Sequence, residues 1–302
     1  MYRHLFDIVT NFDRTKYEMI NHSNKPQAKI RKVNFKFEKP FPKHWYNDNP
    51  IATHFMNAQH LVFPDGERFF IRSVKAFSNY YKNDPELKKR VDNFIGQEGT
   101  HFAEHQKFWD IMIDQQLKPE GFLKHYKKTA WNGAETWLRN KFTNTNYGNK
   151  IALSITVALE HYTAMLAESG ILNKDMIVKM PQEMQDLFMW HAAEEIEHKS
   201  IPFDVLKKVD DSYILRISGM AIASIGLWYY LTAGTVYLTR QDQDIKRNEI
   251  PKYTFQFLKK FRENTGNTLS KQFKQYFEKN FHPDQIDNYH LAEDLLKDKK
   301  YA

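Results

Sequence analysis

Apolar residues recur three to four positions apart along much of this chain, the period of helices that bury one face. Leu87, Val91, Phe94, Ile95 and Phe108 mark one such helix. It opens on Asp84-Pro85, an N-cap followed by proline at the first helical position, and runs towards Leu117, where Lys118-Pro119 stops it. An earlier helix is predicted to start after Pro64-Asp65-Gly66, with Phe70, Ile71, Val74 and Phe77 on one side. Residues 120–145 read as helical, Lys150 to about Leu172 as a core helix, and another helix begins near Pro181 and is kinked or ended by Pro202. Val33-Asn-Phe-Lys-Phe-Glu38 alternates apolar and polar instead, which predicts a short strand or extended arm wrapping the helical body. The expected fold is all-α: an arm over 1–63, a helical body over 64–245, and a basic amphipathic extension over 246–302 packed on the same domain.

Ile217 to Leu238 contains no charged residue, a length that can span a bilayer. Trp228, Tyr229 and Tyr230 stand in its middle, and Ser, Gly and Thr dilute its hydrophobicity, so a helix buried against the body and lining an apolar tunnel is the equal alternative. The stretch after it, Ile250 to Asn280, interleaves seven Lys/Arg and two Glu with five Phe. Basic amphipathic helices of this kind bind anionic membrane surfaces, and they also dock on their own domain.

The polar positions on the helical faces are more specific. Glu98-x-x-His101 and Glu195-x-x-His198 each set a carboxylate and an imidazole one turn apart on the same face. At about 100° per residue, His191, Glu195 and His198 fall within about 60° of one another, as do Glu98, His101 and His105. Glu67 precedes Glu98 by 31 residues and Glu160 precedes Glu195 by 35. Two hairpins, each giving Glu and then Glu-x-x-His, form the arrangement of ferritin-like carboxylate proteins, so a ferritin-like four-helix bundle core is expected. Four glutamates carry the charge that two divalent ions balance, and such ions offset the cost of burying them.

Composition narrows the chemistry. The chain has no cysteine, which excludes disulfides, iron–sulfur clusters and thiolate zinc sites and leaves oxygen and nitrogen donors. Its start, Met1-Tyr-Arg-His-Leu-Phe-Asp, lacks the apolar run of a signal peptide, so a cytoplasmic protein is expected, peripheral to the inner face of the membrane if the basic helix binds there. A net charge of +7 comes with no nucleic-acid motif, and nucleic acid is not an expected partner.

The segments Pro64-Asp-Gly-Glu67-Arg-Phe-Phe, Phe94-Ile-Gly-Gln-Glu98-Gly-Thr-His101, Leu159-Glu160-His161-Tyr-Thr-Ala and Trp190-His191-Ala-Ala-Glu194-Glu195-Ile-Glu-His198-Lys resemble, over about residues 60–205, a bacterial family labelled "predicted metal-dependent hydrolase". The ligand pattern is also similar to that of p-aminobenzoate N-oxygenase, a di-iron enzyme. That resemblance implies seven metal ligands, Glu67, Glu98, His101, Glu160, His191, Glu195 and His198. His105 and Glu194 have no assigned place in it: His105 is an additional ligand or a partner behind one, and Glu194 competes with Glu195. His161 points about 100° away from Glu160 and reads as structural.

Two iron ions, with manganese or zinc as alternatives, are the expected cofactor. The first expectation for function is a di-iron oxygenase or oxidase acting on a hydrophobic or lipid-like small molecule, with an external electron donor. A dinuclear hydrolase of an ester, amide or phosphoester is the alternative, followed by metal binding without turnover. Tyr162 and Trp190 flank the ligands as candidates for electron transfer, although aromatics are 15% of the chain and packing alone would place some there.

Overall fold

In the computed structural model, which describes residues 28–141, 146–173 and 177–297, the chain is all-α. Four long helices surround the candidate site: α1 (Pro50–Lys75), α2 (Pro85–Asp114), α3 (Tyr147–Leu172) and α4 (Gln182–His198). They are followed by α5 (Ile201–Val209), α6 (Tyr213–Gln241), α7 (Ile250–Tyr276) and the short α8 (Tyr289–Leu296). Helix α1 packs on α2, α3 on α4, and α6 lies against both α1 and α3. The connection between the pairs contains short helical pieces, Glu120–Tyr126 and Thr136–Lys141, joined by a wide π-helical stretch, Lys127–Glu135.

The first helix starts at Pro50, upstream of the Pro64-Asp65-Gly66 expected to precede it. Asn49 caps it, its side chain accepting from the Ala52 N–H at 3.0 Å, and Pro50 takes the first turn, the same signature as Asp84-Pro85 of α2. Pro64 therefore lies inside α1, where it cannot donate to the His60 carbonyl. The Trp109 indole N–H of α2 donates to that carbonyl instead, at 2.7 Å, so the proline leaves no orphaned acceptor. At its far end α2 stops at Asp114, short of Leu117, because Gln116 adopts a left-handed conformation (φ 65°).

Residues 28–38 run extended, and no strand occurs among the described residues. The alternation expected to make a strand is instead alternate burial. Arg31, Val33, Phe35 and Phe37 turn towards the helices, while Lys32, Asn34, Lys36 and Glu38 face solvent. Phe35 meets Trp190 at 5.5 Å between ring centroids and Phe37 meets Phe108 at 5.1 Å, and the Phe35 N–H donates to Glu104 at 3.0 Å. The arm expected upstream, residues 1–27, lies outside the described residues.

Helix α6 is long and apolar enough to cross a membrane, with a third of its most apolar stretch buried. One side packs on α1 and α3, and Ile214, Ile222, Ile225, Tyr229 and Val236 form an exposed stripe on the other. Its C-cap, Asp242, is bound by His54 (2.9 Å), His44 (2.7 Å) and Lys43 (2.7 Å), which fastens the N-terminal segment and α1 to α6.

Two glycines of α6 make opposite demands. A Cβ on Gly219 would fall within 2.5 Å of the Ser154 carbonyl of α3, whereas one on Gly226 meets nothing within 4 Å. Gly219→Ala is expected to destabilise the protein by roughly 1–3 kcal/mol through overpacking. Gly226→Ala is expected to stabilise it by up to about 1 kcal/mol through helix propensity. Denaturant unfolding of the two variants side by side checks both signs.

Candidate metal centre

Each of the four long helices turns acidic or imidazole side chains inward. Helix α1 contributes Glu67, α2 contributes Glu98 and His101, α3 contributes Glu160, and α4 contributes His191, Glu195 and His198. All seven are buried, and Glu98, His101, Glu160 and His198 have no exposure at all. One donor atom from each of Glu98, Glu160, Glu195 and His198 lies within 4.8 Å of the others. The same limit holds for Glu67, Glu98 and His101, and for His101, His191 and Glu195. A further group joins Glu67 and His191 to His105, so Glu67, Glu98, His101, His191 and Glu195 each recur in two of the overlapping groups and the donors form one continuous cluster.

Unmade hydrogen bonds test whether these residues fit metal ions. Both carboxylate oxygens of Glu67, Glu98 and Glu160, and Oε2 of Glu195, are buried without a hydrogen-bond partner, as are Nδ1 of His101 and Nε2 of His198. His198 Nε2 comes within 3.1 Å of Glu98 and 3.2 Å of Glu160 without hydrogen-bond alignment. Buried polar atoms are normally paired, and so many orphans converging on one point need a shared cation or shared protons. Oxygen and imidazole donors of this number fit two divalent ions.

The ring nitrogens that face away from this point are fixed by partners. Gln97 gives its amide N–H groups to Glu197 (2.9 Å) and to the Lys29 carbonyl (3.2 Å), so its oxygen accepts from Nδ1 of His198 at 3.1 Å. Nε2 of His198 is then free for the centre. His101 donates from Nε2 to Glu194 at 3.0 Å, which leaves Nδ1 pointing inward. Glu194 also accepts from the Trp190 indole at 3.0 Å, so it stands behind His101 while Glu195 faces the cluster. Arg31, on the extended segment, binds both outer carboxylates: Glu194 at 2.9 Å and Glu197 at 2.7 and 2.8 Å. One guanidinium therefore steadies both histidines through their partners.

A line of imidazoles leads away from the centre. His191 contacts Glu195 at 2.8 Å on one side and His105 at 2.7 Å on the other, and His105 contacts His60 at 3.0 Å. His105 also lies within 4.8 Å of Glu67 and His191 as a third donor. Tyr162 hydrogen-bonds Ser224 at 2.8 Å, and His161 donates to the Gln272 carbonyl of α7 at 3.0 Å, away from the centre.

Without ions, protons must take up the excess charge. Burial raises the pKa of Glu67 well above its ordinary value, raises Glu98, and lifts Glu160 to about 8. Burial opposes the charged form of His101, but hydrogen bonds to Glu194 and Glu195 outweigh it and lift that pKa to about 10. At His198 burial is likewise overcome, here by the charges of Glu160 and Glu195. Burial would raise Glu195, yet His198, His101 and His191 hold it well below the carboxylate range. His191 is lowered to about 4 and His60 to about 3, both chiefly by burial.

Sequence reasoning missed His60, Gln97, Arg31 and Glu197. His60 precedes Glu67 by seven residues, two turns on the same face, but the predicted helix began after it. A second histidine-rich group, His44, His54 and Asp242, also has metal-like spacing. Hydrogen bonds from those imidazoles and Lys43 overcome the effect of burial and hold the Asp242 pKa well below the usual range, so its charge is balanced without an ion.

Residues 29–287 match the model of a family described as "Predicted metal-dependent hydrolase", a span that takes in Arg31 and α7 as well as the four long helices. No curated protein and no solved structure matches the chain.

Because Glu160 holds a proton up to about pH 8, a cation must displace it. Metal uptake is expected to release protons and to tighten as pH rises through about 8 and on towards the pKa of about 10 of His101, which calorimetric titration in buffers of different ionisation enthalpy checks. Arg31→Met is expected to weaken metal affinity by roughly 10–100-fold without loss of helix, read by competition with a chelator.

Proposed function

The chain belongs to the predicted metal-dependent hydrolase family, and from that premise we propose a metal-dependent enzyme with two ions held by Glu67, Glu98, His101, Glu160, His191, Glu195 and His198. The observation that carries this reading is the convergence of seven buried carboxylate oxygens that have no hydrogen-bond donor. Metal-dependent hydrolysis is the reaction class that the family description supports, with an ester, amide or phosphoester as the bond it would cleave. Bound there, divalent ions supply Lewis acidity towards the scissile group in the hydrolytic reading and, if they are redox-active irons, electrons to O₂ in an oxidative one.

The protein residues have separate tasks in either case. Glu98 and Glu195, each of which belongs to two of the overlapping donor groups, would hold the ions together with Glu67, Glu160 and the three imidazoles. Gln97 and Glu194 fix the tautomers of His198 and His101, so that a ring nitrogen of each faces inward. Phe63, Phe188 and Leu159 line the cavity beside the centre and give it an apolar wall. Oxygen and nitrogen donors suit iron, manganese or zinc.

One observation favours the second reading, oxidation by O₂ at two irons. All seven donors sit on helices and border an apolar cavity, whereas hydrolytic two-metal sites more often take Asp and His from loops. Elemental analysis of anaerobically reconstituted protein is expected to return about two ions per chain for the wild type. Glu98→Ala and Glu195→Ala, which remove the shared donors, are expected to lose both. Cleavage of p-nitrophenyl butyrate by the zinc- or manganese-loaded protein would establish the hydrolase, and O₂ consumption by the reduced iron form would establish the oxidase.

A further inference from the structure

A cavity of about 580 Å³ begins at Glu67, His191 and Glu195 and extends between α1, α3, α6 and α7. At roughly the 30 Å³ that a water molecule occupies in the liquid, this volume accommodates on the order of 20 heavy atoms. Its walls are aliphatic and aromatic, Phe69, Leu166, Phe188, Leu227 and Phe261 among them. No lysine or arginine lines it, in a chain that has 44 of them. Glu135 is its one acidic residue outside the metal cluster, and Arg72 (2.7 Å) and Arg139 (3.0 Å) bind that carboxylate.

The lining also includes exposed apolar residues: Trp137 (62%), Ile225 (75%) and Tyr229 (53%). Two helical glycines line it as well. Above both Gly170 and Gly226 the space that a Cβ would enter is open for 4 Å.

We propose that the substrate is an uncharged, hydrocarbon-rich molecule of on the order of 20 heavy atoms, held in this cavity with its reactive bond at Glu67, His191 and Glu195. Burying a charged group along the walls away from the metal cluster would cost its full desolvation, with no opposite charge there to compensate it. A charged group held away from the metal cluster is disfavoured for that reason, a sugar is disfavoured because the walls offer few partners for its hydroxyls, and the apolar rim suits a molecule that partitions out of water. The inference rests on the metal-centre reading above.

Fluorescence of N-phenyl-1-naphthylamine, an uncharged apolar probe, tests it on the metal-free full-length chain, with metal uptake measured on the same preparation. The probe is expected to bind one per chain, to be displaced by hexadecan-1-ol, and to resist displacement by p-nitrophenyl phosphate. Gly226→Phe and Gly170→Phe place a ring in the cavity lining at positions where a Cβ meets nothing within 4 Å, and are expected to weaken probe binding by about tenfold or more with no loss of melting temperature. Absence of probe binding, equal displacement by the phosphate, or unchanged binding in both folded variants would overturn the inference. Metal uptake without probe binding overturns this inference alone; probe binding without metal uptake overturns the metal centre and with it the cavity's role as a substrate site.

Discussion

Four glutamates buried at one point, with seven of their eight oxygens given no hydrogen-bond donor, are the constraint on which the rest of this structure depends. Carboxylates in an apolar interior are stable only with compensating positive charge, whether protons, imidazolium or metal ions. The surroundings do not supply enough of it. Arg31 is directed at the outer carboxylates Glu194 and Glu197, and among the inner four the imidazoles hold only Glu195 in its charged form. That division separates a centre open to ions from a rim whose carboxylates already have a cationic partner.

The inner seven donors were legible because each sits on a long helix whose period places it on the buried face, and because a carboxylate and a histidine one turn apart are unusual among apolar neighbours such as Phe94 and Leu187. The second layer was not. Gln97 and Glu197 look like ordinary polar residues until α2 and α4 are brought together, and Arg31 is more than 160 residues from its partners. His60 was hidden by a breaker rule: Pro64 ordinarily starts or stops a helix, and only Trp109, on another helix, explains how α1 runs through it. The alternation of Val33 to Glu38 showed which side chains turn inward but not what lies opposite, since an extended segment laid on helices shares its period with a strand.

Polar and apolar requirements are met on opposite sides of the same cluster. Towards the arm, His101 and His198 are held by hydrogen bonds of defined direction, which fix which nitrogen faces the centre. Towards α6 and α7, Glu67, His191 and Glu195 border a cavity with almost no polar partner to offer. Ligand geometry is thus set from one side while the other is left to shape and exclusion of water.

The arm gives this arrangement a further property. All seven donors belong to helices, but the residue that orients two of them belongs to a segment outside the bundle, tied down by alternate side chains and the Phe35 N–H. The framework that gathers the donors and the contacts that tune them are therefore separable in the chain. Substitutions in a short stretch of non-helical sequence can alter the basicity of two inward-facing imidazoles while every donor and every helix stays as it is, so the electronic character of the centre can diverge between relatives whose ligand motifs read the same.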